Sequence, residues 1–328
     1  MRKLLIGAFG AAVLAAAPAM AETYNLTLAG ASPGGLWSTI GAGIDKAIAK
    51  AYPGSTVTYQ TGSGGLANAK LVQDKKVPFG IIGDPELSAA VNGTGPFKGR
   101  PQKDLRVLFR VYSPDARFQM VHVLLNGDIA KRHGIKTMAD LKKQAGNIRV
   151  AFNRPGNMDG DIGIATVEAH GIAPKSFKQV VRAASREQVS LMLDRRIDLQ
   201  VYGIAYRHPR VREVANGIPL TMLNIGQAAS EKLAAQFGGK VCMVKAKEYK
   251  FLDADSTSVC LGAIIGAHKD MDDKTAYNIV KGVLKNIEDF KTAHRLLKKV
   301  TTPKSLAEPS VAPHHPGAIK AFKEAGLM

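Results

Sequence analysis

The residues best placed to do chemistry lie in two glycine-rich segments: Gly30 to Gly35, which includes Ser32, and Gly62 to Gly65, which includes Ser63. Before the first segment, Tyr24, Leu26 and Leu28 alternate with Asn25 and Thr27, the period of a strand. After it, Ile40, Ile44, Ala47 and Ile48 recur at helical spacing. A strand, a glycine loop and a helix in that order aim free backbone N–H groups and a positive helix end at whatever lies above the loop. Such a turn suits an anion or a carboxylate. No Gly-Lys-Ser/Thr follows and the spacing is not G-x-G-x-x-G, which excludes a Walker loop and a dinucleotide fingerprint. A single such turn reads equally as a plain connection, so the rest of the chain must decide.

Covalent catalysis needs a nucleophile beside a base. Ser32 and Ser63 have no neighbouring His, and neither S-x-x-K nor H-E-x-x-H occurs. A hydrolase or transferase is therefore the weaker class. His314-His315 beside Pro316 has no third metal ligand nearby, and nothing calls for a cofactor. The two cysteines, Cys242 and Cys260, suit one disulfide in an oxidising compartment, with two buried thiols on neighbouring strands as the alternative.

Export is expected. Arg2 and Lys3 precede an apolar run from Leu4 to Ala17, and Ala19-Met20-Ala21 has the A-x-A form of a cleavage site. Cleavage after Ala21 leaves 307 of the 328 residues, enough for two α/β domains. The mature chain keeps 43 basic against 27 acidic residues, a formal net charge of +16. Nucleic acid fits an exported chain with few aromatics and dispersed Lys and Arg badly. A basic solvated surface and attraction of an anionic solute both fit.

The elements that would position the loops follow in order. Val57 and Tyr59 lead into Gly62 to Gln73, which repeats strand, loop and helix. Phe79 to Gly83 is a short apolar run, followed by Asp84-Pro85-Glu86, where Asp84 suits a helix cap. Leu105 to Tyr112 and Phe118 to Leu125 are strands divided by Ser113-Pro114-Asp115. A helix starts at Thr137, and Ile148 to Phe152 is a strand turning at Asn153 to Asp159 into a helix over 162–170. Further strands are expected at Val180-Val181, Ile197 to Tyr202 and Ile218 to Ile225, with a helix from Glu187 to Leu193. Val259 to Ala267 starts the return of the chain, and 274–292 is an amphipathic helix. This order predicts an α/β chain of two lobes with mostly parallel sheets: residues 22–118 and 246–328 in the first, 119–245 in the second. Ligands of open α/β sheets bind beyond the carboxyl ends of the strands, here in a cleft between lobes.

Read in order, ASPGGLWSTIGAGI, QTGSGGLANAKLV, IKTMADLKKQ, IRVAFNRPG, IDLQVYG and HPGAIKAFKEAGL give the chain its resemblance. It resembles the periplasmic solute receptors of TRAP transporters, of the TAXI (TRAP-associated extracytoplasmic immunogenic) type, over nearly the whole mature sequence. The resemblance implies a type II-like periplasmic binding protein fold without catalytic activity. It also implies a monomeric receptor that delivers a small solute, such as glutamate, glutamine or a dicarboxylate, to a TRAP-type permease. A periplasmic sensor partner of a membrane signalling protein is the alternative within that fold.

Carried over by position, the resemblance places the solute against Ser32, Gly35 and Trp37, then Ser63 and Asn68, with the Asp84 turn as a third wall. Asn153, Arg154, Asn157 and Asp159 would face them from the second lobe, with Tyr202 nearby. The family's loop there commonly reads G-x-P-G-S-G-T, and this chain departs from it. Each residue keeps an ordinary alternative. Ser32 also suits a turn, Trp37 a core, Ser63 and Asn68 the pinning of their own loop. Asp159 suits a helix start, Arg154 a solvated loop, and Tyr202 a strand end.

Overall fold

The computed structural model describes residues 22–246 and 248–328, so the leader and its cleavage site lie outside the described residues. Among these residues the strands are β1 (Asn25–Ala29), β2 (Thr56–Gln60), β3 (Phe79–Gly83), β4 (Leu105–Tyr112), β5 (Gln119–Asn126), β6 (Arg149–Phe152), β7 (Gln179–Arg182), β8 (Leu199–Ala205), β9 (Leu220–Met222), β10 (Lys240–Val244), β11 (Ser256–Leu261) and β12 (Ala263–His268). They form two sheets, with helices packed on both. The first sheet has the order β2-β1-β3-β12-β4 and the second β10-β11-β5-β8-β6-β7, with β9 beside β5.

Both sheets are mixed, which corrects the expectation of mostly parallel ones. β1 runs parallel to β2 and β3, but β12 is antiparallel to β3 and β4. In the second sheet only β6 pairs in parallel, with β7 and β8. The reason is the route of the chain. It leaves the first sheet after β4 and comes back through β11 and β12, and a returning strand enters in the opposite direction.

The return occurs at Gly262, between β11 in the second sheet and β12 in the first, inside the run from Val259 to Ala267 expected to start it. Cys242 and Cys260 explain why β11 stays with β10. The strands pair antiparallel from Lys240↔Cys260 to Val244↔Ser256, and a disulfide joins the two cysteines.

The helices that bear on the site are α1 (Leu36–Ala51), α2 (Gly65–Gln73), α3 (Asp84–Asn92), α4 (Met158–Glu168), α5 (Ser185–Leu193), α6 (Pro209–Gly217), α7 (Gln227–Phe237), α8 (Asp273–Lys285) and α9 (Pro316–Glu324). α1 buries Ile40, Ile44, Ala47 and Ile48, the stripe read from the sequence, against Phe79, Ile81, Ile279 and Val283. Burying each such side chain is worth about 1.5–3 kcal/mol relative to leaving it exposed. The expected helix over 274–292 is broken at Asn286, whose side-chain amide donates to Gly282 O and Ala47 O, so a separate turn, Ile287–Lys291, follows α8. His315 caps α9, its Nδ1 accepting from Gly317 N. No helix of the described residues is long and apolar enough to cross a membrane.

Candidate functional site

A small cavity lies where the lobes meet, about 20 Å³ as the volume open to the centre of a water molecule. The first lobe lines it with Trp37, Gly83, Pro85 and Glu86, the second with Gln119, Met158, Asp159, Ile162 and Leu261, and Gly262 joins them. That volume exceeds the roughly 10–15 Å³ one water needs and falls far below the roughly 300 Å³ of a typical solute pocket. The cavity as it stands has room for a water and not for a solute.

Glu86 is the residue that sequence reading missed. It follows Pro85 in the first turn of α3, where an acidic residue reads as an ordinary helix-start charge. Its carboxylate instead lies between two glycines. A Cβ on Gly83 would come within 2.2 Å of Glu86 Oε2, and one on Gly65 within 2.7 Å of Oε1. Gly65 is the first residue of α2, whose N-terminus has no side-chain cap and no acidic residue in its first turn. Burial pushes the Glu86 carboxyl up to about 8, with the charge of Asp159 adding to it.

Asp159 faces the same cavity from α4. Asn157 caps that helix by accepting from Asp159 N at 3.0 Å, which explains why α4 begins at Met158 and earlier than expected. Burial raises the Asp159 carboxyl to about 7, against the opposing charge of Arg210 on α6. Among the described residues neither carboxylate has an ion-pair partner within 4.0 Å.

A hydrogen-bonded chain spans the crossing from β4 to β5. Trp37 Nε1 donates to the Tyr112 hydroxyl at 3.3 Å, and that hydroxyl donates to Gln119 Oε1 at 2.7 Å. Gln119 Nε2 then approaches Gly203 O at 3.4 Å. Tyr112 is 2% exposed, and burial raises its phenol well above the usual range.

Of the residues named from sequence, Trp37 and Asp159 line the cavity. Gly35 is the N-cap of α1, and the first-turn amides of Leu36, Trp37 and Ser38 have no side-chain cap and no acidic neighbour in that turn. Ser32 and Ser63 are exposed on the loops outside it. Gly30-Ala31-Ser32-Pro33-Gly34 also has the G-x-S-x-G spacing of a nucleophile elbow. The hydrogen bonds made by His side chains nevertheless go elsewhere, to Met120 O, Tyr249 and the amides of Arg210, Asp270, Leu296 and Gly317.

The other named residues are engaged within their own lobes. Asn68 is buried and donates to Ala29 O and Ile81 O, tying α2 to β1 and β3. Asp84 does not cap α3; Gly83 holds that position. The Asp84 carboxylate pairs with Arg110 at 2.9 Å and accepts from Ser310, because both charges are buried and each needs the other. Burial still raises the Asp84 carboxyl while Arg110 pulls it down. Asn153 donates to Ser185 and its Oδ1 accepts from Arg154 N. Arg154 forms an exposed ion pair with Glu187 at 3.1 Å. Tyr202 lies mid-strand in β8, 1% exposed among Met120, Leu124 and Val211, and its hydroxyl has no partner among the described residues.

The sequence pattern of the NMT1-like family matches residues 28–326. Solved structures share the fold at low identity. MatC from Rhodopseudomonas palustris with bound malate is 14% identical with a TM-score of 0.57, over 93% of this chain and 96% of its own. PhnD1 from Prochlorococcus marinus in complex with methylphosphonate is 11% identical with a TM-score of 0.55, over 92% and 98%. A TctC solute binding protein from Polaromonas is 13% identical with a TM-score of 0.52, over 93% and 96%. The common architecture is that of periplasmic binding proteins.

Proposed function

The chain belongs to the NMT1-like family, and we propose that it is a periplasmic receptor that captures a small carboxylate-bearing solute in the interlobe cleft. One observation carries the reading: the cavity is lined by residues of both lobes at the two points where the chain crosses between them. A solute held there touches both sheets at once, so binding and closure are one event. The uncapped first turn of α1 beside Trp37 supports a carboxylate, since free N–H groups at a helix start favour a negative charge. The solute, an amino acid or a dicarboxylate, passes to a membrane permease of the TRAP type, in line with the motif resemblance. The receptor works as a monomer and performs no chemistry on the solute.

The test is mass spectrometry of the solute released from purified protein, followed by thermal-shift titration of the candidate. A solute at one hundred times its dissociation constant adds about 2.7 kcal/mol of stability. Steady conversion of that solute, abolished by Ser32→Ala, would sink the receptor reading.

A further inference from the structure

We propose that Glu86 and Asp159 form a clamp for a protonated amine, so that the receptor selects an ammonium-bearing solute over one whose only charges are carboxylates. This rests on the receptor reading and sharpens it. The two carboxylates come from different lobes, α3 and α4, and line one cavity between them. The rest of its lining is Trp37, Gln119, glycine, proline and apolar side chains; no Lys or Arg lines it. The cations in the neighbourhood are otherwise placed. Arg110 is spent on Asp84 and on Pro309 O, and Arg210 approaches Asp159 from α6 without reaching ion-pair distance or lining the cavity.

The glycines on either side show that the arrangement is built. Gly65 and Gly83 leave room for the Glu86 carboxylate that any Cβ would fill, and a Cβ on Gly203 would meet Asp159 Oδ1 in a tighter than usual contact at 3.1 Å. Tyr112 sets the polarity of the remaining polar group. Its hydroxyl accepts the Trp37 N–H and donates to Gln119 Oε1, which leaves the Gln119 oxygen in the acceptor role. A dicarboxylate entering this cavity would bring a carboxylate against two of the same charge, which costs affinity. An ammonium there satisfies both and lets both stay ionised. Burial holds the two carboxyls high, with Arg210 and the Gly203 backbone opposing it at Asp159.

The experiment compares matched solutes on the full mature chain by calorimetry and thermal shift near pH 8, the upper of the two values. The pairs are L-aspartate with L-malate and L-glutamate with 2-oxoglutarate, where a hydroxyl or a carbonyl replaces the amine. The expected result is that at least one amine member binds at least about tenfold more tightly than its partner. Glu86→Gln and Asp159→Asn should each erase that preference while leaving the weaker partner's affinity unchanged or improved. If, in every pair that binds, the member without the amine binds as well as its amine partner, the clamp is overturned and the receptor stands. Failure of every amine member to bind also overturns it. Failure of all four, with no solute released on denaturation, overturns the receptor reading itself. Should either variant not fold, the matched pairs on the unaltered chain still decide.

Discussion

Tyr112 ends β4 in the first lobe and Gln119 begins β5 in the second, and the hydroxyl of one donates to the amide oxygen of the other at 2.7 Å. The bond closes over the intervening crossing, Ser113 to Phe118, and holds the indole of Trp37 at the cavity through its Nε1. Tyr112 thus couples the shape of the cleft to the angle of the crossing. Tyr112→Phe keeps the ring and removes the bond. It leaves the Trp37 N–H and Gln119 Oε1 without a partner, at about 1–3 kcal/mol. Denaturant unfolding should report that loss, and small-angle scattering of the solute-free variant should show a larger radius of gyration. An unchanged midpoint and radius would mean the bond constrains nothing.

The acidic pair makes stability pH-dependent in a direction opposite to the usual one. Glu86 rises from 4.5 to about 8 and Asp159 from 3.8 to about 7 on folding, both through burial. The folded chain therefore holds protons that the unfolded chain has released, and its stability falls as pH rises from about 4 to about 8. Arg210 opposes this at Asp159; Asp84 adds to it at Glu86. Melting of the solute-free protein across that window should show a decline that Glu86→Gln flattens. A rise with pH that Glu86→Gln leaves intact would contradict the assignment.

Arg110 and Asp84 form a buried pair at 5% and 2% exposure, close under the crossing at Gly262. Arg110→Met leaves the Asp84 carboxylate buried with only Ser310 and the Gly262 region beside it. Breaking one side of such a pair costs about 3–5 kcal/mol. Replacing both residues together with apolar ones should cost much less, and a double-mutant cycle measures the difference.

Gly262 is where the chain changes sheets. A Cβ there would lie 2.2 Å from Asp84 Oδ2 and 2.6 Å from Arg110 Nη1. Gly262→Ala must therefore displace the ion pair or the crossing, and should destabilise the chain by more than the same change at Gly34, where a Cβ meets nothing. Because Gly34 has φ +66°, its replacement carries only the backbone strain of that region. Unfolding midpoints of the two variants settle the order.

The Cys242–Cys260 bridge closes a loop of sequence separation 18 between neighbouring strands. In the chain-entropy account, removing a bridge of that span costs about 3 kcal/mol. Alkylation without reductant should label neither cysteine, and reduction should lower the melting temperature while β10 stays paired through its backbone. Two labelled thiols in unreduced exported protein would count against the bridge.

The sequence by itself determined the local units and their order. Alternation marked β1 and β2, and the stripe of Ile40, Ile44 and Ile48 marked α1, because side-chain periodicity is a property of the local backbone. Motif order was enough to suggest the family's fold. What only the tertiary structure decided was partnership. Whether Asp84 would cap a helix or meet an arginine depended on Arg110, a strand away, and on burial, which makes an unpaired charge too costly to keep. That Glu86, and not Ser32 or Ser63, would stand in the cleft depended on space left by Gly65 and Gly83, which are distant from each other in the chain. The mixed sheets followed from a return strand whose direction no local pattern encodes, since β3 and β12, paired antiparallel, and β8, paired in parallel with β6, are all buried along their whole length.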